Sequence, residues 1–284
     1  MTARIISGTE IARSIRDELK LEVDQLKARY DTIPGLAVII VGEDPASRSY
    51  VTGKRKACHE IGIRAFDHDL PVDATEEQVL GIIRELNGNP EVHGILVQLP
   101  LPRQIDEQKV LLAIDPDKDV DGFHPVNVGR MVIGKECFLP CTPHGVQQLL
   151  VRSGVETSGA EVVVLGRSNI VGKPVANILF QKKKGANATV TICHTGTKNI
   201  PEHCRRADIL IAAAGSPSYV KADWVKEGAV VIDVGVNRVG VTATGKPKLA
   251  GDVDFEAVKE KASLITPVPG GVGPMTITML MMNT

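Results

Sequence analysis

Apolar positions along the chain fall into two successive series of alternating helix and strand patterns. Between Thr9 and Arg29, the residues Ile11, Ile15, Leu19, Val23 and Leu26 recur at three- and four-residue steps, which predicts a helix with one apolar face. The unbroken run Leu36–Val41, flanked by Pro34-Gly35 and Gly42, predicts a strand covered on both sides. Ser47 is placed to cap a helix that runs to about Ile61. Thr75–Leu86 predicts a further helix, Gly94–Gln98 a second buried strand and Val110–Ile114 part of a short helix. After Pro140-Cys-Thr-Pro143 the pattern restarts, with strands expected at Glu161–Leu165, Ala188–Cys193, Asp208–Ala213 and Ala229–Val234 and a possible fifth at Leu264-Ile265. Helices are expected between them at Val171–Gln181, Ile200–Arg206 and Ala222–Lys226. Strands that alternate with helices pair in parallel through right-handed crossovers, so the fold class is α/β with two units joined near residue 143.

Length and composition narrow the classes of function. At 284 residues the chain is too long for one ordinary core and suits two. Lys+Arg 33 against Asp+Glu 34 leaves a net charge of -1, which gives no electrostatic case for nucleic acid or an anionic membrane. The longest apolar runs, Leu36–Val41 and Ile209–Ala214, are far shorter than a membrane span, and no signal peptide is visible at the start. Five cysteines without a CxxC pair make no disulfide framework and suit a reducing cytoplasm. Cys137, Cys141 and His144 leave a zinc set incomplete, so no metal is expected. The run Lys182-Lys183-Lys184 reads as a solvated helix end.

Candidate chemistry in the second half begins where the strand ending at Leu165 meets Gly166-Arg-Ser-Asn-Ile-Val-Gly172-Lys-Pro174. A glycine turn from strand to helix offers backbone N–H groups to a pyrophosphate, although Ser168 stands where the usual fingerprint has its second glycine. Such a turn is also ordinary punctuation between strand and helix. The next strand ends Cys193-His194-Thr195-Gly196, without the carboxylate that NAD-type sites place on the ribose hydroxyl. Arg167, His194 and Thr195 can instead gather around a ribose phosphate, which favours NADP over NAD. His194 taken alone is better read as an ordinary strand-end histidine.

In the first half, Tyr50 and Lys54 lie four apart on the face that Ala57 and Ile61 continue. A lysine there either snorkels to the surface or sits in a pocket, where desolvation lowers its pKa toward the range useful for proton transfer. Gln98 brings an amide to the C-terminal end of a buried strand, where α/β sheets place ligands. Asp117, Asp119 and Asp121 crowd one loop that lacks the spacing and final glutamate of a calcium site. Thr266–Thr276 is a Gly/Pro loop expected to shape a cleft wall.

Together these segments resemble the bifunctional methylenetetrahydrofolate dehydrogenase/cyclohydrolase family from about residue 5 onward. The resemblance rests on Tyr50-Val-x-x-Lys54, Gly94-Ile-Leu-Val-Gln-Leu-Pro-Leu-Pro102, Asp117-Lys-Asp-Val-Asp-Gly-Phe-His-Pro125, Pro140-Cys-Thr-Pro143, Gly166–Pro174, Gly251-Asp-Val253 and Thr266–Thr276, in that order. It implies oxidation of 5,10-methylenetetrahydrofolate with NADP+ and hydrolysis of the methenyl product to 10-formyltetrahydrofolate, within one-carbon metabolism and purine biosynthesis. It also implies that Lys54 is central to the hydrolytic step, that Gln98 orients it, that Tyr50 stacks on the p-aminobenzoate ring and that Asp121 accepts hydrogen bonds from the pterin. Gly166, Arg167, Ser168, His194, Thr195 and Val236 are implied to line the NADP site. The family pattern implies a cytoplasmic homodimer. It further implies a folate-binding catalytic domain over 1–142 completed by 266–284, a Rossmann-like NADP domain over 143–265, and a final helix that runs beyond Thr284. A monofunctional dehydrogenase is the nearest rival and is disfavoured by the presence of Lys54 and Gln98. A non-catalytic NADP-binding sensor is the second, and it has no use for Tyr50, Lys54 and Asp121 together.

Overall fold

The structure, a computed structural model, describes residues 2–242, 245 and 247–284. Met1, Ala243, Thr244 and Lys246, which the expected domain ranges include, lie outside the described residues. In chain order the elements are β1 (Arg4–Ile5), α1 (Gly8–Tyr30), β2 (Gly35–Val41), α2 (Pro45–Ile61), β3 (Arg64–Leu70), α3 (Glu76–Gly88) and β4 (Gly94–Val97). Then follow α4 (Glu107–Ala113), α5 (Pro125–Val132), α6 (Cys141–Arg152), β5 (Glu161–Leu165), α7 (Gly172–Phe180), β6 (Thr189–Cys193), α8 (Ile200–Arg206) and β7 (Ile209–Ala212). The series ends with β8 (Val230–Asp233), β9 (Asn237–Val241), β10 (Pro247–Ala250), α9 (Phe255–Val258), β11 (Leu264–Ile265) and α10 (Val272–Asn283).

By their internal contacts the elements form two units, one of residues 1–12 and 142–276 and the other of 13–141 and 277–284. The expected first domain took in residues 1–12 and 266–276. These group instead with the larger sheet, because β1 is hydrogen-bonded to β11 and β11 to β8.

The unit of residues 13–141 and 277–284 is built on a three-stranded parallel sheet in the order β3-β2-β4. All seven residues of β2 are buried, as its unbroken apolar run predicts. The edge strand β3 reads Arg-Ala-Phe-Asp-His-Asp-Leu, and its alternating charges hid it from a search for apolar runs. Helix α2 starts at Pro45, two residues before the expected Ser47. The cap is Asp44, whose Oδ1 accepts a hydrogen bond from the Ser47 backbone N–H at 2.8 Å, and Pro45 fits the first helical turn because it has no N–H to leave unpaired. On α1 the predicted stripe holds at Ile15, Leu19 and Val23, which are buried, and frays outward at Leu26.

The other unit holds a six-stranded parallel sheet in the order β1-β11-β8-β7-β5-β6 and a two-stranded antiparallel ribbon of β9 and β10. One apolar cluster of its core draws Val163, Leu210, Val231 and Ile265 from the strands of this sheet. The expected helix over Ala222–Lys226 is only a 3-10 turn, Ala222–Trp224. Helices α5 and α6 escaped the sequence reading, and so did the ribbon. The glycine- and proline-rich segment is a loop only as far as Gly271, and α10 begins at Val272 with Pro274 in its first turn. The lysine run follows the end of α7 as exposed turn, in line with the expected solvated helix end.

Candidate active site

Helix α2 carries Lys54 and the residue after β4 is Gln98, and both belong to the unit of residues 13–141 and 277–284. The Lys54 Nζ donates to Gln98 Oε1 at 2.9 Å, and Gln98 Nε2 donates in turn to the Leu99 carbonyl at 2.7 Å. That second bond fixes which end of the amide faces the lysine. Lys54 is 8% exposed, so it does not snorkel; the pocket alternative is the one the structure adopts. Burial pushes the Lys54 pKa down, while the nearby Asp121 and Cys141 act in the opposite direction.

Asp121 arises from the loop between α4 and α5. Burial pushes its carboxyl up to about 6, with Lys54 opposing and Asp119 adding to the shift. Asp119 has a scaffolding position: it is buried and accepts from the His124 N–H at 2.8 Å and from Asn127 Nδ2 at 2.9 Å. The two carboxylates of one motif are therefore differently employed, one held by backbone and amide donors and one beside the lysine. Tyr50, one turn before Lys54, is 44% exposed, so its ring is open to a flat ligand. Sequence reasoning weighed Cys141 only as a metal ligand. The structure places this buried thiol with its Sγ 3.4 Å from the Val120 carbonyl and 4.0 Å from Asp121 Oδ1, and burial raises it well above its ordinary value, so it is a neutral thiol. Among the described residues no group of His, Cys, Asp and Glu is arranged to hold a metal ion.

In the other unit the ends of β5, β6 and β7 surround a cavity of about 450 Å³. Gly166, Arg167, Ser168, His194 and Thr195 all line it, together with Ala213, Ala214, Ser216 and Tyr219. Val236 lies after β8, is 54% exposed and is not among the lining residues. Gly166 has φ +131, and a Cβ there would stand 2.1 Å from the Ala213 carbonyl oxygen. Only glycine permits that approach of the turn to the neighbouring strand end. Ser168 Oγ accepts from the Val171 and Gly172 N–H groups at 3.1 and 3.3 Å, so the serine in the turn ties it to the start of α7. His194 Nδ1 accepts from the Gly196 N–H at 3.1 Å, which orients the ring at the end of β6. A glycine cradle, a charged guanidinium and a strand end without carboxylate fit a dinucleotide that bears a ribose phosphate.

Two family models match the chain: residues 6–121 match the tetrahydrofolate dehydrogenase/cyclohydrolase catalytic domain and residues 140–284 its NAD(P)-binding domain. The chain is 65% identical over 284 residues to the bifunctional protein FolD of Syntrophus aciditrophicus, covering all of this chain and 97% of that protein. Among solved structures it is similar to the bifunctional FolD enzyme of Campylobacter jejuni, at 47% identity and a TM-score of 0.92 over 99% of this chain and 96% of that one. It is also similar to the Trypanosoma brucei dehydrogenase-cyclohydrolase complexed with NADP cofactor and inhibitor, at 43% identity and a TM-score of 0.93 over 100% and 96% of the two chains. Matched in both halves and along its whole length, this chain belongs to the tetrahydrofolate dehydrogenase/cyclohydrolase family.

Proposed function

We propose that Lys54, Gln98 and Asp121 carry the chemistry of a bifunctional folate enzyme and that Gly166, Arg167, Ser168, His194 and Thr195 hold its NADP. As a member of its family the chain is an enzyme that oxidises 5,10-methylenetetrahydrofolate to the 5,10-methenyl form and hydrolyses that product to 10-formyltetrahydrofolate. The observation that carries the residue assignment is the hydrogen bond from the buried Lys54 to Gln98 beside Asp121.

When bound, NADP+ supplies the acceptor for the hydride that leaves the methylene carbon. The chain's task in that step is placement, because hydride transfer needs no protein proton at that moment. Asp121 as a carboxylate is acceptor-only and suits the adjacent donors of an amino-pyrimidine edge. Tyr50 offers its ring face to the p-aminobenzoate group. Hydrolysis makes a different demand: water must lose a proton as it attacks, and the departing nitrogen must gain one. Lys54, desolvated and so more readily neutral, accepts that proton and returns it, while Gln98 Oε1 fixes where its Nζ stands. Val236 is assigned a peripheral place along the cofactor. Folate binding is assigned to the unit of residues 13–141 and 277–284, and NADP binding to the unit of 1–12 and 142–276.

We further infer a homodimer that works in the cytoplasm, within one-carbon metabolism and purine biosynthesis. Support for the dimer comes from β6, which among the described residues is an edge strand paired with β5 alone and on which Ile192 is 37% exposed, with Phe180 at 48% nearby in sequence. No helix of the described residues is long and apolar enough to cross a membrane. The test of the activity is absorbance on methylenetetrahydrofolate with NADP+, followed by product identification. Formyl product is expected; accumulation of the methenyl species as the sole product defeats the hydrolytic assignment, and absence of turnover defeats both.

A further inference from the structure

The motif Gly251-Asp-Val253 has no task in the chemistry above, yet its aspartate is fully buried and holds four partners. Asp252 Oδ2 accepts from the Ala214 N–H at 2.7 Å and the Gly215 N–H at 2.8 Å. Its Oδ1 accepts from the Ser216 N–H at 2.9 Å and from Asn237 Nδ2 at 2.8 Å. Three consecutive backbone donors thus converge on one carboxylate, and two of those residues, Ala214 and Ser216, line the cavity at the strand ends. The same turn also meets the glycine turn, since Ala213 O is the atom that a Cβ on Gly166 would strike. Space for the carboxylate is reserved on one side by Gly235, where a Cβ would stand 2.2 Å from Asp252 Oδ1. Backbone bonds tie the two segments on either side of this point, from Ser218 N–H to Gly251 O and from Val220 N–H to Asp252 O.

We propose that Asp252 is a positioning residue for the dehydrogenase reaction: touching no ligand itself, it sets the Ala213–Ser216 turn as one wall of the NADP cavity. Charged acceptors form stronger hydrogen bonds than neutral ones, and here a single carboxylate satisfies three N–H groups of the turn at once. Loss of that acceptor frees the turn to move into or away from the cavity. The three-stranded unit that holds Lys54 and Gln98 takes no part in this network, so the two activities of the enzyme must respond differently.

The inference rests on the reading of this cavity as the NADP site, and the experiment separates the two. NADP+ binding to the unmutated enzyme is measured by calorimetry, and an absence of binding there defeats the reading of the cavity. Asp252→Asn keeps the size of the side chain but turns an amide N–H₂ toward backbone donors. It is expected to raise the NADP+ Kd and KM about tenfold or more. Hydrolysis of methenyltetrahydrofolate supplied without NADP+ is expected to stay within about twofold of normal, because each of these partners of Asp252 belongs to its own unit and the hydrolytic residues share none of them. Should Asp252→Asn fail to fold, Asn237→Ala, which removes the side-chain donor to Oδ1 and leaves the three backbone donors in place, is expected to raise the NADP+ KM about threefold with the hydrolysis intact. An unchanged NADP+ Kd in a folded variant, or equal loss of both activities, overturns the proposal.

Discussion

Lys54 Nζ stands 2.9 Å from Gln98 Oε1, so a lysine on a helix and an amide at a strand end, 44 residues apart, form one unit within a largely buried pocket. The pairing leaves the ammonium only partly compensated, which is why burial dominates and its pKa falls. It also makes the two activities separable by mutation.

Lys54→Met keeps length and apolar stem but cannot titrate. It is expected to lower cyclohydrolase activity by about 10²–10⁴-fold, the range for loss of a general acid–base group. Dehydrogenase activity remains measurable, with the methenyl species accumulating. The check is to supply methenyltetrahydrofolate to the variant and follow its loss above the uncatalysed rate; near-normal hydrolysis would leave Lys54 a binding residue only.

Asp121 gives a pH signature. Its carboxyl is raised from 3.8 to about 6, so it takes up its proton already near pH 6 and below that can no longer act as an acceptor only. The folate KM is therefore expected to rise as pH falls through about 6, and Asp121→Ala is expected to flatten that rise while weakening both activities. The stability sign is the reverse of an ordinary ion-paired carboxylate: folding raises this pKa, so its contribution declines as pH climbs from 3.8 to about 6. A folate KM independent of pH over this window would remove Asp121 from the pterin site.

Arg167 lines the cavity in the glycine turn. Arg167→Ala is expected to weaken NADP+ by about 1.5–3 kcal/mol, the loss of a hydrogen bond to a charged group, and to change NAD+ far less. Specificity constants for both cofactors in both proteins provide the measurement. Equal constants in the unmutated enzyme would contradict the phosphate-binding assignment.

Asp44 caps the helix that presents Lys54. Asp44→Ala is expected to cost about 1 kcal/mol and, in a chain of this size, to lower Tm by roughly 2–4 °C. Both activities at 25 °C should remain, since the helix is also held by its buried face, Val51, Ala57, Cys58 and Ile61. A thermal melt and both assays on one preparation decide the matter.

The sequence by itself determined the elements whose periodicity is set by burial. β2 and β7 are buried on both sides, so every position is apolar and the run is plain in one dimension. The four-residue step from Tyr50 to Lys54 likewise put two candidate residues on one helical face. Strand β3 was invisible because an edge strand meets water and carries charges, and the α2 cap was misplaced because Asp44 and Ser47 are both good caps and only backbone geometry chooses between them. Whether Lys54 snorkels or is buried depends on what packs over it, which spacing along the helix does not encode. Only the tertiary structure brought Gln98, Asp121 and Cys141 around it and gave Asp119 and Asp121, two residues apart, opposite employment. In the same way, Asp252 became legible only when the fold carried it back to the Ala214–Ser216 turn, because hydrogen bonds between distant segments leave no periodic trace in the chain.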